Sequence, residues 1–340
     1  MKHLIVRSRN KSCAPLREIE VPITTIYRMG STTPTEQITK RKKYIEINSI
    51  NSCRISGNKI LMKRRIRHAH CPTAEYFVGN NTAQSFLDIC EDRLNKWKNG
   101  IIAKRKNSSK GEGLARLTNW DECWQFFLAN KGDLHNWIFE RYYTYTKEYR
   151  IHVTKDGCFY ATRKMLIEGK ENRWHRHADN SVFILENNDS FDRPSNWEDI
   201  VESCVNALKA IGLDIACFDI KVQKNNVDYP KYILLESNSA PCLKDVGINA
   251  YKETLTKIIN ERFGTQYGNE VLREVAECIR NSLEPGQFVY RIVSDEFMIL
   301  DLTGTEITAM ESLYHRIRSG IEDILMQHNY RSIYTISSGL

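Results

Sequence analysis

The chain has 340 residues, room for about two domains at roughly 150 residues each. Its composition, 41% hydrophobic and 27% charged, is that of a folded globular protein and excludes a disordered, collagen-like or low-complexity chain. No run of about 18 apolar residues exists to span a membrane, the N-terminus lacks a secretory apolar stretch, and the formal charge of +7 permits an anionic partner without identifying one. Ten cysteines stand singly with no C-x-x-C pair, which argues for reduced thiols in a cytoplasmic protein and against a zinc site or a disulfide framework.

In chain order, Leu4 to Val6, Ile23 to Tyr27 and Tyr44 to Ile47 read as short strands. A helix is expected over Lys59 to His70, with Met62, Ile66 and Ala69 on one face, ending before Cys71-Pro72. A strand over Ile101 to Lys104 runs into a polar loop, Asn107 to Gly113, and a helix follows from Asp121 with Asn119 as its cap. Trp137 to Glu140, Tyr149 to Val153 and Phe159 to Leu166 read as strands, the last two joined by an Asp156-Gly157 turn. Ser195 to Ile211 is the clearest helix, stopped by Gly212. Strands Ile215 to Val222 and Tyr232 to Ser237 follow across an Asn225-Asn226 turn. Helices over Tyr251 to Phe263 and Glu270 to Leu283, a strand pair Phe288 to Ile292 and Phe297 to Leu302, a helix Ser312 to Met326 and a strand Ser332 to Ile336 complete a mixed α/β or α+β chain.

Several constellations carry chemistry. Glu236 and Asn238 are two apart on a strand and share a face, and Asp219 lies beside them if the two strands form a hairpin. Two carboxylates and an amide oxygen suit Mg²⁺, although a solvated polar face has the same spacing. Lys104 leads into a loop holding Ser108, Ser109, Lys110, Gly111 and Gly113, which can surround phosphates but lacks the P-loop spacing. Glu140 ends an apolar strand whose backbone could meet an adenine edge, and Glu148 could take ribose hydroxyls. Arg173 to His177 is cationic and aromatic, suited to an anionic substrate or a transferred phosphate. The basic run Lys40 to Lys43, continued by Lys59, Lys63, Arg64, Arg65 and Arg67, reads as a solvated face, a phosphate contact or an RNA-binding surface.

In combination these blocks resemble the ATP-grasp superfamily of carboxylate–amine ligases over about Gly57 to Asn249. The carrying segments are Asn58 to Lys63 with His70-Cys71-Pro72-Thr73; Ile101 to Lys104 and its Ser/Gly loop, where Arg105 replaces the usual proline; and Phe139-Glu140-Arg141-Tyr142 with Glu148-Tyr149-Arg150. The most specific are Gly212 to Asp219 and Leu235-Glu236-Ser237-Asn238-Ser239-Ala240-Pro241. The front end, Tyr27 to Ser31 and Glu46 to Asn48, and the segment Trp174 to Asn180 are similar to ribosomal-protein glutamate ligases and phage-encoded members. The resemblance implies an α+β fold in which two subdomains grip ATP, and a ligase that forms an amide through an acyl phosphate. It places Lys59 and Lys104 on ATP phosphates, Glu140, Arg141 and Tyr142 at the adenine, and Glu148 on the ribose. It sets Arg163, Lys164 and Arg176 at the reacting phosphate or substrate, and Asp219, Glu236 and Asn238 on two Mg²⁺ ions. Substrates would be small-molecule, peptide or protein carboxylates and amines.

A second resemblance follows. Lys257 to Leu272, Tyr290 to Phe297 and Thr335 to Leu340 are similar to segments of GGDEF diguanylate cyclase domains, with Val293 and Ser294 in place of the motif glycines and no visible first strand. The implied organisation is a pre-ATP-grasp α/β region over 1–57, an ATP-grasp domain over 58–250 and a partial GGDEF-like α/β tail over 251–340. The tail reads as a degenerate regulatory or dimerisation module. A non-catalytic nucleotide- or RNA-binding module is the rival reading of the whole.

Overall fold

The computed structural model describes residues 2–8, 10–35, 44–80, 82–108, 113–169, 180–223, 231–293, 295–304 and 306–327. It divides into two compact units, Met1–Thr256 and Lys257–Leu340. The elements of the first unit are β1 (Lys2–His3), β2 (Ile5–Arg7), β3 (Glu20–Val21), β4 (Thr25–Arg28), β5 (Ile45–Ile47), α1 (Ile50–Gly57), α2 (Lys59–His68), β6 (Tyr76–Val78), α3 (Ala83–Lys96), β7 (Ile101–Arg105), β8 (Leu114–Leu117), α4 (Trp120–Ala129), β9 (Trp137–Arg141), β10 (Lys147–Thr154), β11 (Gly157–Leu166), β12 (Ser181–Leu185), α5 (Trp197–Ile211), β13 (Ile215–Val222) and β14 (Tyr232–Asn238). The long helix α6 (Asp245–Ser282) crosses the unit boundary; β15 (Gln287–Val293), β16 (Glu296–Asp301) and α7 (Ile307–Gln327) complete the second unit.

Three sheets build the first unit's framework. A three-stranded parallel sheet, β2-β4-β5, forms the front end. Asn48, buried at φ 60°, anchors it to the body. Its amide donates to the Ile215 carbonyl at 2.9 Å, its Oδ1 accepts from Asp214 N at 2.8 Å, and its own backbone N–H donates to the Asp214 carboxylate at 2.6 Å. A four-stranded antiparallel sheet, β6-β9-β7-β8, packs one face on α3 and α4 through Phe77, Phe86, Cys90, Ile101, Ala103, Cys123, Phe127, Trp137 and Phe139. A five-stranded antiparallel sheet, β12-β11-β10-β13-β14, packs Tyr149, Ile151, Val153, Phe218, Ile220 and Leu234 against α5 and α2.

The helices follow from their sequence signals. The Asn58 side chain accepts from the Ile60 and Leu61 amides and starts α2, and Asn119 accepts from Glu122 N to start α4. Gly212, at φ 80°, closes α5. Where two helices were expected over 251–283, one continuous helix runs. Gly264 and Gly268 weaken it by about 1 kcal/mol each, which is too little to end a helix with packing on either side. Helices α1 and α3 and strands β6, β8 and β12 were not anticipated. In α3 the stripe Phe86, Cys90 and Leu94 has the i, i+4, i+8 spacing that marks it, but its start has no side-chain cap. The second unit is a hairpin, β15–β16, whose Val289, Phe297 and Ile299 pack with Val271, Val275 and Ile279 of α6 and Leu313 and Ile317 of α7. The expected strand Ser332 to Ile336 lies outside the described residues.

Candidate nucleotide and metal site

The site arises from strand alternation. In β10, odd positions Tyr149, Ile151 and Val153 enter the core, so Glu148, Arg150 and His152 face the other way. Register carries this across the sheet. Glu148 lies opposite Lys164 on β11 and Lys221 on β13, and Arg150 lies opposite Thr162 and Asp219. Asp219 in turn faces Glu236 on β14. A bulge makes the last step work. The register passes from Asp219↔Glu236 to Ile220↔Leu234 and skips Leu235, so Leu234 enters the core while Glu236, two residues on, joins the charged side.

The four-stranded sheet presents a matching face. Its odd β7 positions, Ile101 and Ala103, are core, which leaves Ile102 and Lys104 beside Ile138 and Glu140 of β9. Lys104 Nζ donates to Glu140 at 2.8 Å, and Lys63 Nζ stands 3.6 Å from the other carboxylate oxygen. Lys63 is wholly buried and donates to Thr73 Oγ1 at 2.7 Å and the Leu234 carbonyl at 3.2 Å. Lys59 Nζ donates to the Ser108 carbonyl. The two charged faces act on each other: Glu236 and Glu148 both stabilise the Lys104 ammonium, and Lys221 lies over the Tyr142 and Tyr145 rings at 5.6 and 3.9 Å.

Burial and charge set the protonation states. Burial pushes Lys63 and Lys221 down to about 8, and lowers Lys59, despite nearby carboxylates. Burial opposes the Lys104 charge as well, but Glu140, Glu236 and Glu148 together outweigh it and raise this lysine above its ordinary value. Burial alone would raise Glu140 and Asp219. Lys104 and Lys63 hold Glu140 down, and Arg150 holds Asp219 down. The cleft thus gathers Lys59, Lys63, Lys104, Arg150, Lys164 and Lys221 against Glu140, Glu148, Asp219 and Glu236, six cations to four anions. A surplus of buried positive charge with aromatic walls is suited to a polyphosphate.

The structure places most expected residues here and displaces others. Glu140 aims its carboxylate at Lys104 and Lys63. Glu148 is ion-paired with Lys164 at 3.4 Å, so a ribose role has a standing competitor. Arg163, expected beside Lys164, is one residue off in the alternation. It points to the opposite face, donating to the Ser190 carbonyl at 2.7 Å and to Asp192 at 3.4 Å. Arg141 turns to Glu75 at 2.9 Å and lies over Tyr143. The Gly113 carbonyl, at φ 60°, accepts from Arg105 N and closes the loop base. Ser109, Lys110, Gly111, Arg176 and the rest of Arg173 to His177, together with Lys40 to Lys43, lie outside the described residues. Of the basic run, Arg64, Arg65 and Arg67 are exposed while Lys63 is interior. Arg150 and Lys221 were missed as site residues, and Lys63 was named only within the basic run. Each occupies a strand or helix position whose inward direction depends on phase, although Lys221 was readable as the same-face neighbour of Asp219. Ala74, Tyr143, Ile233 and Leu235 form a small apolar cluster next to Tyr142 in the chain.

Among the described residues no group of three or more His, Cys, Asp or Glu side chains forms a metal cluster. What is offered to Mg²⁺ is Asp219 and Glu236 side by side, with Asn238 two residues along β14 and its Oδ1 accepting from Ala240 N at 2.8 Å. These are hard oxygen donors, too few for a closed cage and suited to an ion that keeps water or phosphate ligands. The Arg150 guanidinium donates to both Asp219 oxygens.

Comparison with known proteins bears on the fold. D-alanyl-alanine synthetase A from Vibrio cholerae O1 biovar eltor is similar with a TM-score of 0.54 at 13% identity, over 71% of this chain and 77% of that one. The D-alanine–D-alanine ligase of Bacillus anthracis complexed with ATP gives 0.51 at 13% identity, over 71% and 82%. The Coxiella burnetii ligase gives 0.51 at 12%, over 72% and 70%. The chain carries the ATP-grasp fold. The family model described as "Diguanylate cyclase, GGDEF domain" matches residues 255–340, the stretch that resembled it in sequence. No curated protein matches the sequence. Among the described residues no helix is long and apolar enough to cross a membrane.

Proposed function

We propose that the first unit binds ATP with Mg²⁺ and joins a carboxylate to an amine. The observation that carries this reading is the convergence of Lys59, Lys104, Lys221, Asp219 and Glu236 on the charged sides of two sheets within one ATP-grasp fold. Lys59 and Lys104 hold the phosphate chain, with Lys63 behind them keeping Glu140 in place. Tyr142 and the Ala74–Tyr143–Ile233–Leu235 cluster receive the base. Asp219, Glu236 and Asn238 hold Mg²⁺, which when bound neutralises the phosphate oxygens. A substrate carboxylate oxygen attacks the γ-phosphorus as the bond to ADP breaks. The amine then attacks the acyl carbon, phosphate leaves and the amine loses a proton. Lysines and a closed cleft lower the barrier by stabilising charge and excluding water.

The test is ADP release by the purified chain against a panel of amino acids and peptides, with products identified by mass spectrometry. Asp219→Asn and Glu236→Gln are expected to lower turnover at least 100-fold. A chain that binds no ATP–Mg²⁺ contradicts the reading. For the second unit, the replacement of both motif glycines, one of them by Val293 at 63% exposure, supports a regulatory rather than catalytic part. GTP is expected to yield no cyclic dinucleotide, and a product lost in Glu296→Gln would reverse that assignment.

A further inference from the structure

One cross-strand row runs through the site: Thr162 on β11, Arg150 on β10, Asp219 on β13 and Glu236 on β14, each directly opposite the next. Arg150 Nε donates to Asp219 Oδ1 at 2.7 Å and Nη2 donates to Oδ2 at 2.9 Å, so one guanidinium fork engages both carboxylate oxygens. The pair is largely shielded, with side-chain exposures of 19% and 13%. The guanidinium is charged at any working pH. A divalent cation on Asp219 therefore meets a resident cation on the same lone pairs and in its immediate field. On the other side of Arg150, Thr162 Oγ1 is buried and, among the described residues, has no hydrogen-bond partner. An unsatisfied acceptor inside a protein is costly unless some state of the molecule uses it. It lies on the strand next to Arg150, opposite the strand that carries Asp219.

We propose that Arg150 is an exchangeable counter-ion. It holds Asp219 when the metal is absent and gives up that carboxylate when the metal arrives, its fork shifting toward Thr162 Oγ1. This rests on the reading of Asp219 and Glu236 as metal ligands. Arg150 is here a positioning residue: it sets how tightly the site takes metal and keeps Asp219 ionised and oriented until then.

The test measures Mn²⁺ binding to the full chain without nucleotide, by the electron paramagnetic resonance signal of free Mn²⁺. Arg150→Met is expected to bind Mn²⁺ at least tenfold more tightly than the natural chain. Arg150→Lys, which keeps a point charge but loses the fork, should fall between them. Thr162→Val, which keeps the shape but removes the acceptor, should bind about threefold more weakly, and Asp219→Asn should abolish the gain of Arg150→Met. Circular dichroism checks that each variant is folded; if Arg150→Met is not, the order of Arg150→Lys and the natural chain decides. Equal affinities in folded variants, a weaker Arg150→Met, or no saturable Mn²⁺ binding in any of them overturns the proposal. Loss of the ligase reading alone would appear as Mn²⁺ binding in this order with no ATP binding, whereas ATP–Mg²⁺ binding with a flat order would overturn the exchange and leave that reading standing.

Discussion

At the scale of single residues, the cleft is dominated by buried charge whose partners are few. Glu140 is the counter-ion of Lys104 and Lys63, and its removal leaves both ammonium groups in a low-dielectric site. Glu140→Gln is expected to cost about 3 kcal/mol in denaturant unfolding at pH 7. Part of that cost should return as pH rises. A lysine whose folded pKa lies below its unfolded value is protonated more in the unfolded chain, so stability increases with pH across the interval between the two values. For Lys63 that interval begins near 8 in the natural chain and lower without Glu140. Nucleotide affinity has the opposite sign. A polyphosphate favours charged Lys221, so ATP binding measured by calorimetry should be flat below pH 8 and weaken above it, by up to about tenfold per pH unit. An affinity unchanged to pH 9.5 would mean that Lys221 does not meet the phosphates. Sequence alone named Asp219, Glu236 and Lys104 from residue type and spacing, and Lys59 through the ATP-grasp resemblance. It could not separate Lys63 from Arg64 and Arg65, since depth depends on the phase of a helix against its neighbours.

At the scale of elements, two backbone details set the metal side of the cleft. Gly30, at φ +75°, brings the front end so close to the loop following β14 that an added Cβ would lie 2.6 Å from the Ala240 Cβ. Gly30→Ala is expected to cost about 2 kcal/mol through overpacking and strain, with weaker nucleotide binding because Asn238 to Ala240 must shift; thermal unfolding and calorimetry read both. The bulge at Leu235 matters in another way. Leu235 is the residue the ladder skips, so deleting it leaves Leu234 and Glu236 adjacent and still on opposite faces, in register with Ile220 and Asp219. The deletion should therefore still give soluble folded protein and, like Leu235→Val, only loosen the cluster with Tyr143. Loss of soluble protein on deletion, read by comparative yield, would contradict this. Strands β10, β11, β13 and β14 were legible from their apolar runs and turns. The bulge was not, because an extra residue in a strand leaves no mark on composition. Arg163 shows the same limit: on a strand, one position decides between cleft and outer face.

At the scale of the molecule, the two compact units predict separable unfolding. Calorimetry should show two transitions, and ATP–Mg²⁺ at about 100 times its Kd should raise only the one belonging to residues 1–256, by about 5–10 °C. A single transition moving as a whole would contradict this. The ATP-grasp fold was legible from the order of its motifs and the GGDEF likeness from Lys257 to Leu272. The sequence motifs set the change of domain at 250/251, where one block ends and the next begins, and the compact units meet at Thr256 and Lys257. That boundary falls inside α6, where the backbone is hydrogen-bonded on both sides of Thr256. Proteases need an extended stretch of chain, so limited digestion, the usual route to isolated fragments, should not release the units at residue 256. The first cut within α6 should fall near Gly264 or Gly268, where the helix opens most cheaply, and any fragment so obtained would carry a length of its neighbour's helix with it.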